Sequence, residues 1–383
     1  MTAVPGDTDA LIDRLAGRLA VSGALTQPHW HQALRAVPRH LFVPAVAWAE
    51  DVLLDRKTGE ALWLEAVYSD IPLVTQIDDG TAGLGTGQGL YSSSCSAPSA
   101  VTDFLERLDP QPGDRVLEIG TGTGWTAGLL SWRVGPENVT SIEVDGEVAG
   151  QAAANLKAAG YAPSLVTADG ADGWPEGAPY DRVHGTCAVR QVPYAWAGQC
   201  RPGSVIVTPV QTPYGDGHLV KLAVLRDGTA AGHFECGASY MMMRSQRWPG
   251  DPPAAWIEHG TDDDTVSVTP VNPRVLAAAP AGACLAISGW APGIIARPGD
   301  GALWLLDATG PGGSWACASY DHSGGGFEVQ QCGARRLWDE AVNAYFTWLE
   351  LGRPGRDRFG LTVTSGGQRL WLDHPGNPIE PAQ

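Results

Sequence analysis

The chain has 383 residues, of which 44% are hydrophobic and 17% charged, with 49 glycines and 29 prolines. Its length predicts two domains, and its hydrophobic content is too high for a disordered chain. The formal net charge of −17 argues against binding to nucleic acid, because a phosphate backbone needs a basic surface.

The seven cysteines are dispersed and form no C-x-x-C pair. This favours a reducing compartment and argues against a zinc or other metal site. The N-terminus lacks a basic start followed by an apolar segment, and no run of 18 apolar residues occurs. We therefore expect a cytoplasmic protein that does not insert into a membrane.

The first hundred residues predict two helices followed by an irregular stretch. Helices are expected over residues 8–22 and from Thr26 to just before Pro38. Residues 50–93 include a glycine-rich run and predict a long loop or a short hairpin, and long ordered loops tend to be functional.

From residue 98 onward, predicted strands and helices alternate. Helices are expected at residues 98–108, 126–132, 147–159 and 196–200, and strands at 115–119, 139–144, 164–167, 180–185, 204–208 and 219–225. This order predicts an α/β fold, a Rossmann-like parallel sheet with helices on both faces.

The composition changes at Trp248. Residues 248–264 contain three prolines and three consecutive aspartates and predict a linker. The expected domains are therefore residues 1–247, the linker at 248–264, and a smaller α+β domain over 265–383 with one long helix at 337–351.

A glycine loop follows the first strand of the alternating region. Gly120, Thr121, Gly122 and Gly124 have the spacing G-x-G-x-G, whereas dinucleotide sites have G-x-G-x-x-G. Glu118 immediately before the loop would attract the cationic methionine end of S-adenosylmethionine (AdoMet) but would be unfavourable beside a pyrophosphate. The loop therefore predicts an AdoMet site.

Acids at the next two strand ends extend this prediction. Glu143 ends the second strand, about twenty residues after the loop, where an acid accepts hydrogen bonds from ribose hydroxyls. Asp169, followed by Gly170, ends the third strand and is placed to contact the adenine amino group. Three acids at successive strand ends favour a cofactor site over three unrelated solvated loops.

Six segments match, in order, the motifs of one family: residues 37–44 (VPRHLFVP), 68–73 (YSDIPL), 93–98 (SSCSAP), 116–124 (VLEIGTGTG), 169–174 (DGADGW) and 178–181 (APYD). On these motifs the chain resembles the protein L-isoaspartyl O-methyltransferases over about residues 8–247. The resemblance implies an AdoMet-dependent carboxyl methyltransferase whose partner is a peptide or protein with an aspartate or isoaspartate.

The resemblance also implies roles for single residues. Ser93, Ser94, Cys95 and Ser96 correspond to the active-site loop that contacts substrate and cofactor, and Ser96 to the serine that holds the acceptor carboxylate. Ser96 is therefore the candidate catalytic residue, with capping of the helix at Pro98 as its alternative role. Gln246 lies where family members contact the cofactor.

The chain departs from the family around the expected acceptor site. Serines and a cysteine replace the usual Q-T-I of the active-site loop, residues 50–93 are longer, and residues 184–193 differ. The C-terminal domain is expected to have no counterpart in the repair enzymes, and its tail looks like those of actinobacterial relatives that tailor ribosomally made peptides.

The leading hypothesis is thus methylation of an aspartate in a ring-bearing, ribosomally made peptide, which leads to a succinimide or isoaspartate. General repair of protein isoaspartate is the second hypothesis. A non-catalytic AdoMet-binding module is the third.

Overall fold

The computed structural model describes residues 8–87, 89–248, 253–258 and 264–381. The chain divides into two compact units: unit 1 comprises Met1–Cys187, Pro193–Thr208 and Ala223–Thr229, and unit 2 comprises Ala188–Val192, Pro209–Leu222 and Ala230–Gln383. This division differs from the contiguous domains drawn on composition, because unit 2 takes three separate segments of the chain.

The N-terminal part of unit 1 holds helices and a small antiparallel sheet. Its elements are α1 (Thr8–Ser22), α2 (Pro28–Ala36), β1 (Val46–Ala49), β2 (Val52–Asp55), α3 (Glu60–Val67), β3 (Leu73–Ile77) and β4 (Tyr91–Cys95). The four strands form one sheet in the order β2-β1-β3-β4.

The prediction of a long loop or short hairpin over residues 50–93 is therefore wrong. These strands have only four or five residues each, too few to show a period of two. The partners β3 and β4 are also separated in sequence by the glycine-rich run, so no local turn signal joins them.

The rest of unit 1 is a parallel sheet with helices. Its elements are α4 (Pro98–Leu108), β5 (Val116–Ile119), α5 (Trp125–Val134), β6 (Val139–Glu143), α6 (Gly146–Ala158), β7 (Ser164–Thr167), β8 (Tyr180–Gly185) and α7 (Tyr194–Gly198), together with most of β9 (Cys200–Gln211). The strand order is β9-β8-β5-β6-β7, with parallel pairing throughout. The predicted Rossmann-like α/β fold is confirmed.

The position of β5 determines where a ligand binds. It lies between β6 and β8. After β5 the chain adds β6 and β7 on one side of it, and then crosses to add β8 and β9 on the other side. All residues of β5 and β6 are buried, as expected for parallel strands covered on both faces. Ligands of such sheets bind beyond the carboxyl ends of the strands at this reversal, which is where the glycine loop begins.

Unit 2 contains the remaining strands and helices: β10 (Gly217–Val224, which begins here and ends in unit 1), β11 (Ala230–Gly237), α8 (Pro253–Glu258), β12 (Thr265–Thr269), α9 (Pro273–Ala277), α10 (Ala281–Trp290), β13 (Ile294–Pro298), β14 (Ala302–Asp307), β15 (Trp315–Ser323), β16 (Gly326–Cys332), α11 (Leu337–Glu350), β17 (Phe359–Thr364) and β18 (Gly367–Leu372). Five of these strands form a sheet in the order β12-β16-β15-β14-β13. Its core includes Leu303, Leu305, Val329 and Trp338, which confirms an α+β arrangement.

The linker prediction falls partly outside the described residues, at 249–252 and 259–263. Between them, Pro253–Glu258 forms a helix, α8, in which Trp256 is fully buried and donates to the Asp307 carbonyl. Residues 253–258 are therefore packed structure, in contrast to the expected linker. None of the helices in the described part of the chain is long and apolar enough to cross a membrane.

Candidate cofactor and acceptor site

The glycine loop at the end of β5 needs backbone angles that only glycine adopts easily. Gly120, Gly122 and Gly124 have φ values of +98°, +54° and +88°. A Cβ atom on Gly120 would lie 2.5 Å from Thr186 Oγ1, whose hydroxyl donates to the Gly120 carbonyl. The loop is thus fixed by the backbone angles of its glycines and by Thr186, the residue that follows β8.

Glu143, at the end of β6, holds the loop in place. The Gly122 N–H donates to its Oε2 at 2.9 Å, and the Asp145 N–H to its Oε1 at 3.1 Å. Each carboxylate oxygen can still accept a further hydrogen bond. Glu143 therefore has the orientation and the acceptor capacity that ribose binding requires, which stays a prediction.

Glu118 lies beneath the loop with none of its surface exposed. The Ser141 hydroxyl donates to its Oε2 at 2.5 Å, and Thr121 Oγ1 lies 2.6 Å from that hydroxyl. Its Oε1 has no hydrogen-bond partner among the described residues. Burial raises the pKa of the Glu118 carboxyl to about 8, since a low dielectric disfavours the charged form.

Asp169 and Gly170 form the turn after β7. The Asp169 Oδ1 accepts from the Ala171 N–H at 2.9 Å, and the Trp196 indole donates to the Gly170 carbonyl at 2.8 Å. A Cβ atom on Gly170 would lie 2.5 Å from Ile119 Cγ2. This turn is therefore pressed against the end of β5, on the same side of the sheet as the glycine loop.

Residues 93–96, the predicted active-site loop, end strand β4 and lie against the glycine loop. The Ser94 carbonyl oxygen is 3.4 Å from where a Cβ atom of Gly122 would be. The sheet that carries this segment is tied to the cofactor strands a second time, because the Gln76 amide donates to Asp145 Oδ2 at 3.0 Å. The structure thus brings the two predicted loops together.

Arg39 fixes residues 93–96 from behind, a role that sequence analysis missed. Its side chain is 1% exposed, and its guanidinium stacks over Trp125 at 5.3 Å. It donates to five backbone carbonyl oxygens, those of Val67, Ser69, Ile71, Cys95 and Ser96. The available signal was an arginine inside a stretch, residues 37–44, that is apolar apart from Arg39 and His40.

Ser96 does not cap the following helix. The N-cap of α4 is Ala97, with no side-chain capping bond, and the Ser99 N–H is satisfied by Asp70 Oδ1 at 2.8 Å. Within the part of the chain that the structure describes, the Ser96 hydroxyl has no hydrogen-bond partner. Of its two alternative roles, the capping role is therefore wrong, and the hydroxyl is free to bind an acceptor.

The other residues of the segment differ in exposure. Ser93 and Cys95 are buried, and the Thr75 hydroxyl donates to Ser93 Oγ at 3.3 Å. Ser94 is only partly buried. Side chains alternate along the strand, so Ser94 and Ser96 are the members of the segment placed to contact ligands, while direct contacts by Ser93 and Cys95 stay predictions.

Gln246 belongs to unit 2, where its amide is engaged with the backbone. Its Oε1 accepts from the Arg190 and Gln191 N–H groups at 2.8 and 2.9 Å, and its Nε2 donates to the Gln191 carbonyl. In the structure it supports residues 188–192, and its predicted cofactor contact stays a prediction.

The residues of unit 1 fit AdoMet on two observations. A Cβ atom at Gly120 or Gly170 would lie 2.5 Å from Thr186 or Ile119, so both loops pack too closely for a side chain, and the buried Glu118 Oε1 lacks a partner among the described residues. A buried polar atom without a hydrogen-bond partner is unfavourable, and a polar group of a ligand would satisfy it. No cluster of metal-ligating side chains occurs among the described residues.

Comparisons with known proteins support this fit. The chain is 33% identical over 216 residues to a protein-L-isoaspartate O-methyltransferase of Ignicoccus hospitalis, which covers 56% of this chain and 88% of that protein. It is 36% identical over 213 residues to the enzyme of the same name in Methanopyrus kandleri, covering 55% and 79% of the two chains.

A solved structure titled protein-L-isoaspartate O-methyltransferase aligns with a TM-score of 0.55 and 21% identity, over 95% of this chain and all of that chain. At this identity the likeness concerns the fold alone. Because the alignment extends through the C-terminal region, it overturns the expectation that this region has no structural counterpart in an enzyme so named.

The family model described as protein-L-isoaspartate(D-aspartate) O-methyltransferase matches residues 11–246. That range includes the glycine loop, Glu143, Asp169 and the segment around Ser96. The chain therefore belongs to the protein-L-isoaspartate(D-aspartate) O-methyltransferase family, and it is an AdoMet-dependent methyltransferase.

Proposed function

We propose that the protein methylates the free carboxylate of isoaspartyl residues in proteins or peptides, as a general repair enzyme. The observation that supports this proposal is the contact between residues 93–96 and the glycine loop, in which the Ser94 carbonyl oxygen lies 3.4 Å from where a Cβ atom of Gly122 would be. Ser96, two residues further on, has a hydroxyl without a hydrogen-bond partner among the described residues. The names of the relatives in Ignicoccus hospitalis and Methanopyrus kandleri support isoaspartate as the acceptor.

The chemistry asks little of the protein beyond positioning. When bound, AdoMet supplies an electrophilic methyl group. A carboxylate is already ionised at neutral pH, so the acceptor needs no general base. We assign to Ser96 the task of orienting the carboxylate by donating a hydrogen bond, and to the segment held by Arg39 the task of excluding water.

The methyl ester explains how methylation repairs a chain. Methoxide leaves an ester more easily than hydroxide leaves an acid, so the amide nitrogen of the next residue closes a five-membered succinimide. Water then opens the ring to aspartate or isoaspartate. Repeated cycles convert isoaspartate to aspartate, since only isoaspartate is methylated again.

A second candidate is the tailoring of a ring-bearing, ribosomally made peptide at an ordinary aspartate. One observation favours it: the active-site segment, with Ser93, Ser94 and Cys95 in place of the family's residues, is carried by a four-stranded sheet. An altered acceptor segment on a rigid sheet would suit one fixed substrate. The repair function is favoured because the matching family model and the relatives in Ignicoccus hospitalis and Methanopyrus kandleri are named for isoaspartate.

One experiment distinguishes the candidates. The enzyme and AdoMet are incubated with a short isoaspartyl peptide, with the same peptide containing aspartate, and with ring-bearing peptides containing aspartate, and mass spectrometry follows ester formation and methanol loss. We expect ester only on the isoaspartyl peptide. Methylation of ring-bearing aspartate alone would establish the tailoring function, and AdoMet binding without any ester would leave a non-catalytic module.

We also propose the compartment and partners that the sequence predicts. None of the seven cysteines, all of which lie in the described part of the chain, forms a disulfide, which suits a reducing cytoplasm. The net charge of −17 supports a polypeptide substrate and opposes partnership with nucleic acid or an anionic membrane surface.

A further inference from the structure

Unit 2 contains a partly open cavity of about 100 Å³ that the proposed function does not use. Its walls include the apolar side chains of Phe234, Leu361 and Leu370, and its polar lining includes Arg190 and Ser288. Of the residues that line it, all within the described chain, Arg190 alone carries a charge. A cavity with one cation and no acid is complementary to a small anionic group.

Ser288, which lines the cavity, has a buried hydroxyl without a hydrogen-bond partner among the described residues. This residue lies on α10, a helix with eight buried residues, and is itself 8% exposed. A buried unpaired hydroxyl is unfavourable, so an acceptor in the cavity would stabilise the arrangement.

Arg190 is held in place but is not neutralised. Its backbone is fixed by Gln246 and by Gln368, whose amide donates to the Arg190 carbonyl at 2.9 Å. Its guanidinium stacks over Trp248 at 4.6 Å. No carboxylate within the described residues forms an ion pair with it. In a chain of net charge −17, an arginine that is preorganised and unpaired is a specific site for an anion.

The size of the cavity limits the anion. A volume of about 100 Å³ corresponds to roughly three water molecules at about 30 Å³ each. A carboxylate with one or two methylene groups fits this space, and the apolar walls would contact the methylenes.

We propose that this cavity binds a second carboxylate of the polypeptide substrate, either an acidic side chain or the C-terminal carboxylate, and so selects which sites are methylated. The proposal rests on the proposed function only in taking the ligand from the methyl-accepting polypeptide. Arg190 and Ser288 are specificity-determining residues in this assignment, with no part in methyl transfer itself.

The test uses fluorescently labelled isoaspartyl peptides that carry glutamate or glutamine at successive positions around the isoaspartate. A second arm compares a C-terminal carboxylate with a C-terminal amide. Fluorescence polarisation in the presence of S-adenosylhomocysteine measures binding without methylation, and methyl incorporation is measured separately. We expect at least one acidic peptide to bind about tenfold more tightly than its neutral counterpart. The arm that shows this preference identifies the source of the carboxylate.

Variants assign the preference to the cavity. Arg190→Gln should abolish it, Arg190→Lys should retain part of it, and Ser288→Ala should reduce it several-fold. Arg369→Gln is the matched control, since Arg369 is exposed and lies between the lining residues Gln368 and Leu370, so its side chain faces the other side of β18. This control should bind like the unaltered protein.

Equal affinities for acidic and neutral peptides in every arm would overturn the proposal and would mean that the cavity holds only water. An acidic preference that survives in Arg190→Gln would overturn it too. Failure of the proposed function would look different. The unaltered protein would still bind acidic peptides more tightly and Arg190→Gln would not, but no isoaspartyl peptide would be methylated.

Discussion

The glycine loop and the segment of residues 93–96 face each other, but they are held by different means. The glycine loop is fixed by residues from adjacent strands of its own sheet, chiefly Glu143 and Thr186. The acceptor segment is fixed by Arg39, a side chain that is distant in sequence by more than fifty residues. Cofactor binding and acceptor binding should therefore be separable by mutation.

The largest effect on methyl transfer is expected for Arg39→Met. Five carbonyl groups would lose their donor, so we expect the free energy of unfolding to fall by about 3–5 kcal/mol. Displacement of the acceptor segment should lower kcat/KM about 100-fold, while AdoMet affinity changes only a few-fold. Denaturant unfolding, steady-state kinetics and calorimetry measure the three quantities.

The control for this variant is Arg18→Met. Arg18 is exposed and donates one hydrogen bond to a carbonyl of the same region, that of Tyr68, so its loss should change stability by about 0.5 kcal/mol or less. If Arg39→Met in a folded protein weakened AdoMet binding as much as methyl transfer, the two regions would not be separable.

The next effect is expected for Ser96→Ala. Loss of a hydrogen bond to the acceptor carboxylate should lower kcat/KM by roughly 10- to 100-fold with AdoMet affinity unchanged, since hydrogen bonds to charged groups contribute about 1.5–3 kcal/mol. Ser99→Ala, which removes another hydroxyl near the start of α4, should have no such effect. If Ser96→Ala lowered AdoMet affinity as much as kcat/KM, Ser96 would have a structural role.

Glu143→Ala should weaken cofactor binding, because Glu143 holds the glycine loop and not the acceptor segment. Removal of the acceptor for the Gly122 and Asp145 N–H groups, together with the expected ribose contact, should weaken AdoMet binding by about 1–3 kcal/mol. The exposed acid Glu147, in the first turn of α6, provides the control Glu147→Ala. Calorimetry that gives equal AdoMet affinities for the folded variant and the unaltered protein would refute the assignment.

The smallest effect on methyl transfer is expected for Glu118→Gln, which should alter AdoMet affinity by less than about tenfold.

The main consequence of Glu118→Gln concerns the pH dependence of stability. The pKa of Glu118 is about 8 in the folded protein against an ordinary value of 4.5, so the folded state holds the proton more tightly. This contribution to stability is complete below about pH 4.5 and is lost as the pH rises through about 8.

Unfolding by denaturant at about pH 5 and about pH 8 tests this sign. The stability of the unaltered protein relative to Glu118→Gln should fall between the two values, because the glutamine does not ionise. A difference that stays constant, or that grows with pH, would contradict a protonated carboxyl beneath the glycine loop.

The same contrast explains what the sequence could predict. Residues 115–119, 139–144, 164–167 and 180–185 were predicted as strands, and the structure has strands within one residue of each bound. Each of these strands carries at least two apolar side chains, and a glycine or an acid lies within two residues of its end, so the signal is local. Glu118, Glu143 and Asp169 were found for the same reason, since each follows or ends such a strand.

The acceptor side depends on contacts that no local pattern encodes. Strands β1 to β4 are short and β3 pairs across the glycine-rich run, so residues 50–93 read as a loop. The role of Arg39 depends on carbonyl groups 28 to 57 residues away, and any residue offers a carbonyl. The cavity at Arg190 joins seven separate parts of the chain, so only the fold brings its lining together.

The bonds of Arg39 also have a consequence for the order in which unit 1 folds. Each of these hydrogen bonds closes a loop of 28 to 57 residues, whereas the strand–loop–helix that holds Glu118 and Gly124 is local. Because long loops close at a greater entropic disadvantage and non-local contacts form more slowly, we expect refolding protein to regain AdoMet binding before it regains methyl transfer. A freshly synthesised chain would then pass through an interval in which it sequesters cofactor without modifying any substrate.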